Sequence, residues 1–261
     1  MTLDTLHYLL GALSGGLVGF VLGLVGGGGS ILAVPLMVYL VGVRDPHVAI
    51  GTSALAVAVN AASGVVSHWR AGNVKWRCAA LFAAAGVGGA ALGSTLGKAL
   101  DGQKLLFLFA IVMVVVGIVM IRRRGASGDS AVRLGRENAG KLVGFGAGAG
   151  FFSGFFGIGG GFLIVPGLIA ATGMPMLNAV GSSLIAVAAF GATTAGSYAL
   201  SGLIDWVLAG VFILGGLAGT VSGSMVAKRL SERRGMLNVV FAVLIFGVAG
   251  YVLWRSAGAI F

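Results

Sequence analysis

The chain has 261 residues, of which 58% are hydrophobic and 9% are charged, whereas soluble domains carry about 25% charged residues. A water-soluble fold could not cover its surface with so few polar residues, so the composition predicts an integral membrane protein. The net charge of +10 does not indicate nucleic-acid binding, because the bases lie in short clusters between apolar windows and not on one face of a soluble domain.

Long uncharged windows follow one another along the chain. A membrane-spanning helix needs about 20 apolar residues to cross about 30 Å of hydrocarbon, and most of the windows meet this length. The first window is uncharged over 36 residues, which is too long for one ordinary span and predicts an interruption. The windows are Tyr8–Val43, Val48–Ser67, Cys78–Gly97, Leu105–Ile121, Leu142–Thr172, Leu177–Ile204, Trp206–Ala227 and Met236–Trp254.

The second half of the chain repeats the first half. At an offset of 131 residues, Gly15, Gly19, Gly23 and Pro35 align with Gly146, Gly150, Gly154 and Pro166. After a one-residue deletion the offset is 130, and the segment Gly51-Thr52-Ser53 aligns with Gly181-Ser182-Ser183. We therefore predict a first membrane repeat over residues 1–124, a polar cytoplasmic linker over 125–140 and a second membrane repeat over 141–261.

Glycines at four-residue spacing predict closely packed helices. Such stripes let two backbones approach each other in lipid, where no hydrophobic force drives helices together. We interpret them as structural and not as a site. The stripes are Gly11/Gly15/Gly19/Gly23, Gly89/Gly93/Gly97 and Gly215/Gly219/Gly223.

Two glycine clusters, Gly26–Gly29 and Gly157–Gly161, lie in the middle of apolar windows. A helix is expected to break at each cluster, because every interior glycine costs about 1 kcal/mol relative to alanine. Irregular backbone at membrane depth is tolerated only where it is buried in protein or lines a wet cavity. Paired breaks at matching positions of two repeats are the best sequence indication of a transporter's substrate site.

The distribution of basic residues predicts that the two repeats are inverted. If Tyr8–Val43 and Leu142–Thr172 each form a broken, re-entrant helical hairpin, each repeat keeps three full transmembrane helices, and the second copy enters the membrane upside down. Three basic clusters then lie on the cytoplasmic side, whereas Lys98, Lys104 and Arg255 do not fit. The clusters are Arg70–Arg77, Arg122–Lys141 and Lys228–Arg234. The expected fold is all-α and multi-pass, in a plasma or inner membrane.

Acidic residues and metal ligands are absent from the predicted spans. None of the seven Asp and Glu residues lies inside an apolar window, which argues against a membrane-embedded enzyme and against a metal-cation pump. Cys78 is the single cysteine, and His7, His47 and His68 lack metal-site spacing, so no cofactor or metal is expected. A secondary carrier for an anion is favoured, and a channel or a purely structural membrane protein stays open.

The doubled glycine-rich stretches ending in Pro35 and Pro166, together with Ala49–Ser53 and Ala179–Ser183, resemble the TauE/SafE permeases. The resemblance covers nearly the whole chain. It implies transport of sulfite, organosulfonates or another sulfur-containing anion, with export favoured and import, for example of thiosulfate, as an alternative. The second copy has Ser182 in place of Thr52 and Ile158 in place of Gly27, so the two half-sites are not expected to be identical.

We predict that the anion binds between the two glycine breaks, near the bilayer midplane. The helices that restart there, at Ser30–Leu40 and Gly161–Ala171, would present unpaired backbone N–H groups and the positive end of the helix dipole. The competing interpretation is that the hydroxyl groups only bond carbonyls of their own helix or join helices together. The predicted substrate-binding residues are Gly28, Gly29, Ser30, Thr52, Ser53, Asn60, Gly159, Gly160, Gly161, Ser182 and Ser183.

The expected partners are a small anionic substrate and the lipid bilayer, without nucleic acid. Because no acidic residue is available in the spans as a proton carrier, export of the anion is expected to run as a uniport down the membrane potential, with His68 as the alternative titrating group. The sequence does not determine the oligomeric state, and a homodimer stays open.

Overall fold

The computed structural model describes residues 5–122, 129, 132–157, 161–232 and 236–260. These residues form helices and connections, without a strand. Five of the described segments are long and apolar enough to cross a membrane, and shorter apolar helices accompany them. The fold is therefore that of an all-α membrane protein, as the composition predicts.

The first repeat contains α1 (Thr5–Val25), α2 (Ala33–Pro35), α3 (Pro46–Arg70), α4 (Trp76–Lys98) and α5 (Gly102–Arg122). A 3-10 helix, Gly26–Leu32, separates α1 from α2, and a π-helix, Leu36–Leu40, follows α2. The second repeat contains α6 (Arg136–Phe156), α7 (Gly161–Thr172), α8 (Met176–Ala199), α9 (Trp206–Ser231) and α10 (Met236–Ile260).

The first window folds as a helical hairpin. Gly26, directly after α1, has a φ of +66°, a conformation that favours glycine and ends the helix. The chain then turns back, so that Gly29 packs against the α1 backbone at Leu22 and a Cβ at Gly42 would lie 3.9 Å from the His7 ring. The prediction of a broken hairpin in the first repeat is confirmed.

The second repeat shows the same local structure. Gly157, which aligns with Gly26, also has a φ of +66° and caps the end of α6. The chain returns as α7, where a Cβ at Gly167 would lie 3.7 Å from Phe145 of α6. With 21 residues, α1 and α6 are each about 31 Å long. That the hairpins are re-entrant, with their turns inside the bilayer, stays a prediction.

The glycine stripes join helices of different repeats. Gly15, Gly19 and Gly23 of α1 face the backbone of α9 at Phe212, Gly216 and Thr220, so the two helices run in the same direction. In the equivalent pair, Gly146, Gly150 and Gly154 of α6 face α4 at Phe82, Gly86 and Ala90. The close packing predicted from the stripes is confirmed, and it interlocks the two repeats.

Helices α3 and α8, which occupy equivalent positions in the two repeats, pack against each other in opposite directions. Gly51, near the start of α3, lies against Tyr198 at the end of α8, and Gly181, near the start of α8, lies against His68 at the end of α3. Antiparallel packing of equivalent helices is what inverted repeats require. Their orientation across a membrane stays a prediction.

Candidate functional site

The turns of the two hairpins meet between the repeats. Gly27, in the first turn, and Gly161, at the start of α7, pack backbone against backbone, and a Cβ added to either residue would strike the other. Both residues are buried. Only glycine allows such close backbone contact, which explains why the sequence has glycine at both positions. Gly159 and Gly160 fall outside the described residues.

The remaining residues of the first turn are packed by the protein itself. Gly28 faces the ring of Phe241, and Gly29 faces the backbone of α1. The hydroxyl of Ser30 donates to the Gly27 carbonyl at 2.8 Å. In this conformation, therefore, the glycines at 28 and 29 admit protein atoms, and their predicted contact with an anion requires the turn to move.

Ser183 connects the first hairpin to α8. The Gly27 N–H donates to Ser183 Oγ at 3.0 Å, and the same hydroxyl donates to the Val180 carbonyl at 2.7 Å. Ser53, its equivalent on α3, donates to the Ile50 carbonyl at 3.1 Å. Hydroxyl bonding within the helix thus occurs at both positions, and at Ser183 it is combined with a contact to a hairpin turn of the other repeat.

Thr52 and Ser182 hold the connections that precede α9 and α4. Thr52 Oγ1 accepts from the Asp205 N–H at 2.9 Å, and Ser182 Oγ accepts from the Lys75 N–H at 2.8 Å. These two connections leave opposite ends of the antiparallel pair formed by α3 and α8.

The predicted hydroxyl pairs therefore do not converge on one point. Gly181, two residues before Ser183, lies against His68, whereas Ser53 lies about 22 Å from His68 along α3. The antiparallel packing of α3 and α8 thus puts the equivalent positions at opposite ends of the helix pair in this conformation, and the binding of one anion by both pairs stays a prediction. Ser183 stays with the meeting point of the hairpins.

Asn60 has unused hydrogen-bonding capacity. Its side chain is completely buried, and neither amide atom has a hydrogen-bond partner in the part of the chain that the structure describes. It lies against Gly216 of α9, the residue that also contacts Gly19 of α1. A buried amide without partners costs free energy, so Asn60 is suited to bind a ligand or water that supplies the missing bonds.

The equivalent position in the second repeat is apolar. Phe190 of α8 lies against Gly86 of α4, just as Asn60 lies against Gly216, and its ring stacks on Phe82 with centroids 6.4 Å apart. The two half-sites therefore differ most clearly at this pair, and not only at the positions of Thr52 and Gly27 that the sequence comparison emphasised.

Sequence analysis did not assign His68 and Tyr198 to the site. Both side chains are buried, and each has a polar atom without a partner among the described residues, Nδ1 in His68 and the hydroxyl in Tyr198. They align with each other at the offset of 130 residues. That alignment of two polar residues was the available signal.

The described carboxylates lie outside the middle of the helices. They lie in the connections, at helix caps or in a terminal turn, and no group of three or more His, Cys, Asp or Glu residues forms in the described part of the chain. The meeting point of the hairpins has the Ser183 hydroxyl and backbone groups. The carboxylates are Asp45, Asp101, Asp129, Glu137, Asp205 and Glu232.

Comparison with known proteins identifies the family. Residues 11–252 match the family described as sulfite exporter TauE/SafE. A "probable membrane transporter protein" of Xylella fastidiosa is 49% identical over 261 residues, covering 98% of each chain. The "probable membrane transporter protein YdhB" of Bacillus subtilis is 28% identical and covers 91% of this chain and 96% of its own. No solved structure matches. The chain belongs to the sulfite exporter TauE/SafE family and is a multi-pass membrane transporter.

Proposed function

We propose that the protein is a secondary carrier that exports a small sulfur-containing anion, such as sulfite or an organosulfonate, across the inner membrane. The main support is the direct contact of Gly27 with Gly161, which brings the breaks of both repeats together at one buried point. Broken helices that meet between repeats are the usual place of a substrate site in secondary transporters. The family description suggests the chemistry of the substrate.

The donors near this point suit an oxyanion. The 12-residue helix α7 begins at Gly161, and the first turn of a helix presents N–H groups and a partial positive charge. The Gly27 N–H, which donates to Ser183 in this conformation, would become available if the turn moved. The Asn60 amide on α3, which lies against Gly216 of α9, can donate two hydrogen bonds. Oxygen atoms of sulfite or a sulfonate would accept these bonds.

Alternating access then requires the hairpins to move. In the described conformation Gly27 and Gly161 touch, and the space beside Gly28 and Gly29 is filled by Phe241 and α1. We infer that this conformation is closed around the site. Separation of the two turns would admit the anion from one side of the membrane, and closure followed by separation toward the other side would release it.

We also propose that the repeats are inverted. The antiparallel packing of α3 and α8 supports this arrangement, and it puts the connections at Arg70–Lys75 and Leu200–Asp205 at opposite ends of the pair. The linker and its basic residues would then face the cytoplasm, and the C-terminus would face outward. A reporter fused after Phe261 tests the orientation, and a cytoplasmic signal would overturn it.

Export is proposed to be a uniport. Moving one negative charge out of a cell with a negative interior gains about 2.3 kcal/mol per 100 mV, so no coupling ion is required. Flux that carries current at fixed pH supports this proposal. Flux that is electroneutral, or that stops without a pH gradient at fixed potential, would contradict it and direct attention to His68.

Purified protein in proteoliposomes provides the test of function. Uptake of sulfite, sulfate, thiosulfate, taurine and a small carboxylate would be compared with that of protein-free vesicles. Saturable flux of sulfite or taurine, inhibited by the other sulfur compound, is the expected result. Flux that rises linearly with concentration would indicate a channel, and saturable flux of the carboxylate alone would reject a sulfur substrate.

A further inference from the structure

One buried polar side chain lies near each hairpin turn. Val180 of α8 packs against Gly26 in the first turn, and the next residue, Gly181, packs against His68. In the other repeat, Ile50 of α3 packs against Gly157, and the next residue, Gly51, packs against Tyr198. Equivalent contacts therefore connect His68 to the first turn and Tyr198 to the second turn.

The hydrogen bonding of His68 fixes which nitrogen is available. Its Nε2 lies 2.9 Å from the Gly23 carbonyl, at the end of α1. Because a carbonyl only accepts, Nε2 carries a proton and donates it. Nδ1 has no partner within the described residues, although the side chain is 1% exposed. With the proton on Nε2, Nδ1 of the neutral ring is an acceptor, and it becomes a second donor, able to bind an anion, when the ring is protonated.

Tyr198 has a cation over its ring, and the Asp45 carboxylate is also close enough to act on it. The Lys98 ammonium lies 5.7 Å from the centre of the Tyr198 ring and donates to the Ser197 carbonyl at 3.0 Å and to the Ser201 hydroxyl at 2.9 Å. The ring of Tyr198 is completely buried, and its hydroxyl has no partner in the described ranges. Buried polar atoms are nearly always hydrogen-bonded, so the unpaired phenol indicates a missing hydrogen-bond partner, which an anion could supply as an acceptor.

We propose that Tyr198 and the protonated ring of His68 bind the transported anion, one at each hairpin turn, as it passes between the central site and the two sides of the membrane. This inference rests on the proposed function and extends its site by two residues. Tyr198 lies next to the end of α8, before the Leu200–Asp205 connection, and His68 lies near the end of α3, before Arg70. Tyr198 would therefore serve the face opposite the linker, and His68 would serve the linker face.

Two substitutions remove the polar atoms without described partners and keep the described contacts. Tyr198→Phe deletes only the hydroxyl, which has no described protein partner, so the folded protein should be as stable as wild type. His68→Gln keeps a donor for the Gly23 carbonyl and removes Nδ1. Tyr251→Phe, on the 41% exposed Tyr251 of α10, is the matched control for loss of a phenol.

The experiment measures sulfite flux from each side, in right-side-out and inside-out vesicles, together with the melting temperature. We expect Tyr198→Phe to raise the KM roughly 5- to 20-fold for sulfite arriving from the face opposite the linker, and His68→Gln to do so from the linker face, as loss of one hydrogen bond predicts. Melting temperatures and the Tyr251→Phe control should match wild type.

Wild-type KM values on both faces in both variants, with normal melting, would overturn the inference and leave the proposed function intact. A fall in melting temperature in Tyr198→Phe would also overturn it, since the hydroxyl would then have a structural role. Absence of saturable sulfite and taurine flux in wild-type protein would instead reject the proposed function, and this inference with it.

Discussion

Asn60 and Phe190 occupy equivalent positions in the two repeats. The backbone packing around them is the same, but the side chains differ. Around Asn60, glycines of α1 and α9 meet at Gly19 and Gly216, and around Phe190, glycines of α6 and α4 meet at Gly150 and Gly86. The first place has a buried amide without described partners, and the second has stacked aromatic rings. Duplication thus preserved backbone packing while side chains diverged, which predicts that stability is shared between the halves and binding is not.

Substitutions in the glycine stripes should have the largest effect, a loss of folded protein, and this effect should be equal in both halves. Gly19→Val and Gly150→Val put a branched side chain against the backbone of a neighbouring helix at Gly216 and Gly86, and we expect neither variant to yield folded protein, because overpacking against backbone cannot be relieved by a rotamer change. Gly148→Val is the matched control on α6, since nothing lies within 4 Å of its added Cβ.

Yield of monodisperse protein by size-exclusion chromatography measures this effect. Folded protein from both stripe variants would contradict the described helix pairing. A folded Gly19→Val beside an unfolded Gly150→Val would limit the interlocked packing to the second hairpin.

Disruption of the contact between the hairpins should have the next largest effect, and it should affect transport more than folding. Gly161→Ala adds one methyl group against Gly27, which we expect to lower sulfite flux at least about 100-fold, since the closed conformation can no longer form and small displacements at a site have large effects on rate. Gly167→Ala is the control on α7, because its methyl group would meet side-chain atoms only, the Phe82 ring at 3.3 Å and Phe145 Cβ at 3.7 Å. Flux in Gly161→Ala that equals flux in the control would contradict the closed-state interpretation.

Asn60 and Phe190 allow the comparison itself to be tested. We expect Asn60→Leu to keep or slightly raise thermal stability, because an unpaired buried amide is removed, and to lower sulfite affinity roughly 10-fold or more. Phe190→Leu should lose about 1 kcal/mol of stability through poorer packing, with a KM close to wild type. Melting curves and flux assays on both variants measure these effects. A raised KM in Phe190→Leu together with a wild-type KM in Asn60→Leu would contradict the assignment of binding to the Asn60 half.

Thr52 and Ser182 should give the smallest effects. Replacement of either by alanine leaves the N–H of Asp205 or Lys75 without its described acceptor, which costs about 1 kcal/mol where the N–H is buried. We expect similar small drops in melting temperature and unchanged KM values. A KM change in one variant only would return that hydroxyl to the substrate site.

Much of the fold follows from local sequence signals. The apolar windows predict the long helices, and the glycine clusters predict the breaks, because each glycine in a run such as Gly26–Gly29 disfavours continuation of the α-helix. The stripes predict close packing, and the alignment of Gly26 with Gly157 predicts matching turns. Each of these features depends on residues close together in the chain.

The site was less predictable because it depends on how equivalent elements are oriented in space. The alignment shows that Ser53 corresponds to Ser183, but only the antiparallel packing of α3 and α8 separates them. Similarly, α1 could have packed within its own repeat, and the sequence does not show that its partner is α9. The missing partners of Asn60, His68 and Tyr198 become visible only when their neighbours are known.

The central claim is that a sulfur-containing anion crosses the protein at the meeting point of the two repeats, with Asn60 as a binding residue of one half only. Concentration-dependent sulfite flux into proteoliposomes, measured for wild type, Asn60→Leu and Phe190→Leu at equal amounts of folded protein, tests it most directly. The account predicts saturable flux in wild type, a KM near wild type in Phe190→Leu and a KM at least about 10-fold higher in Asn60→Leu. Equal KM values in all three proteins, or sulfite flux that does not saturate, would contradict it.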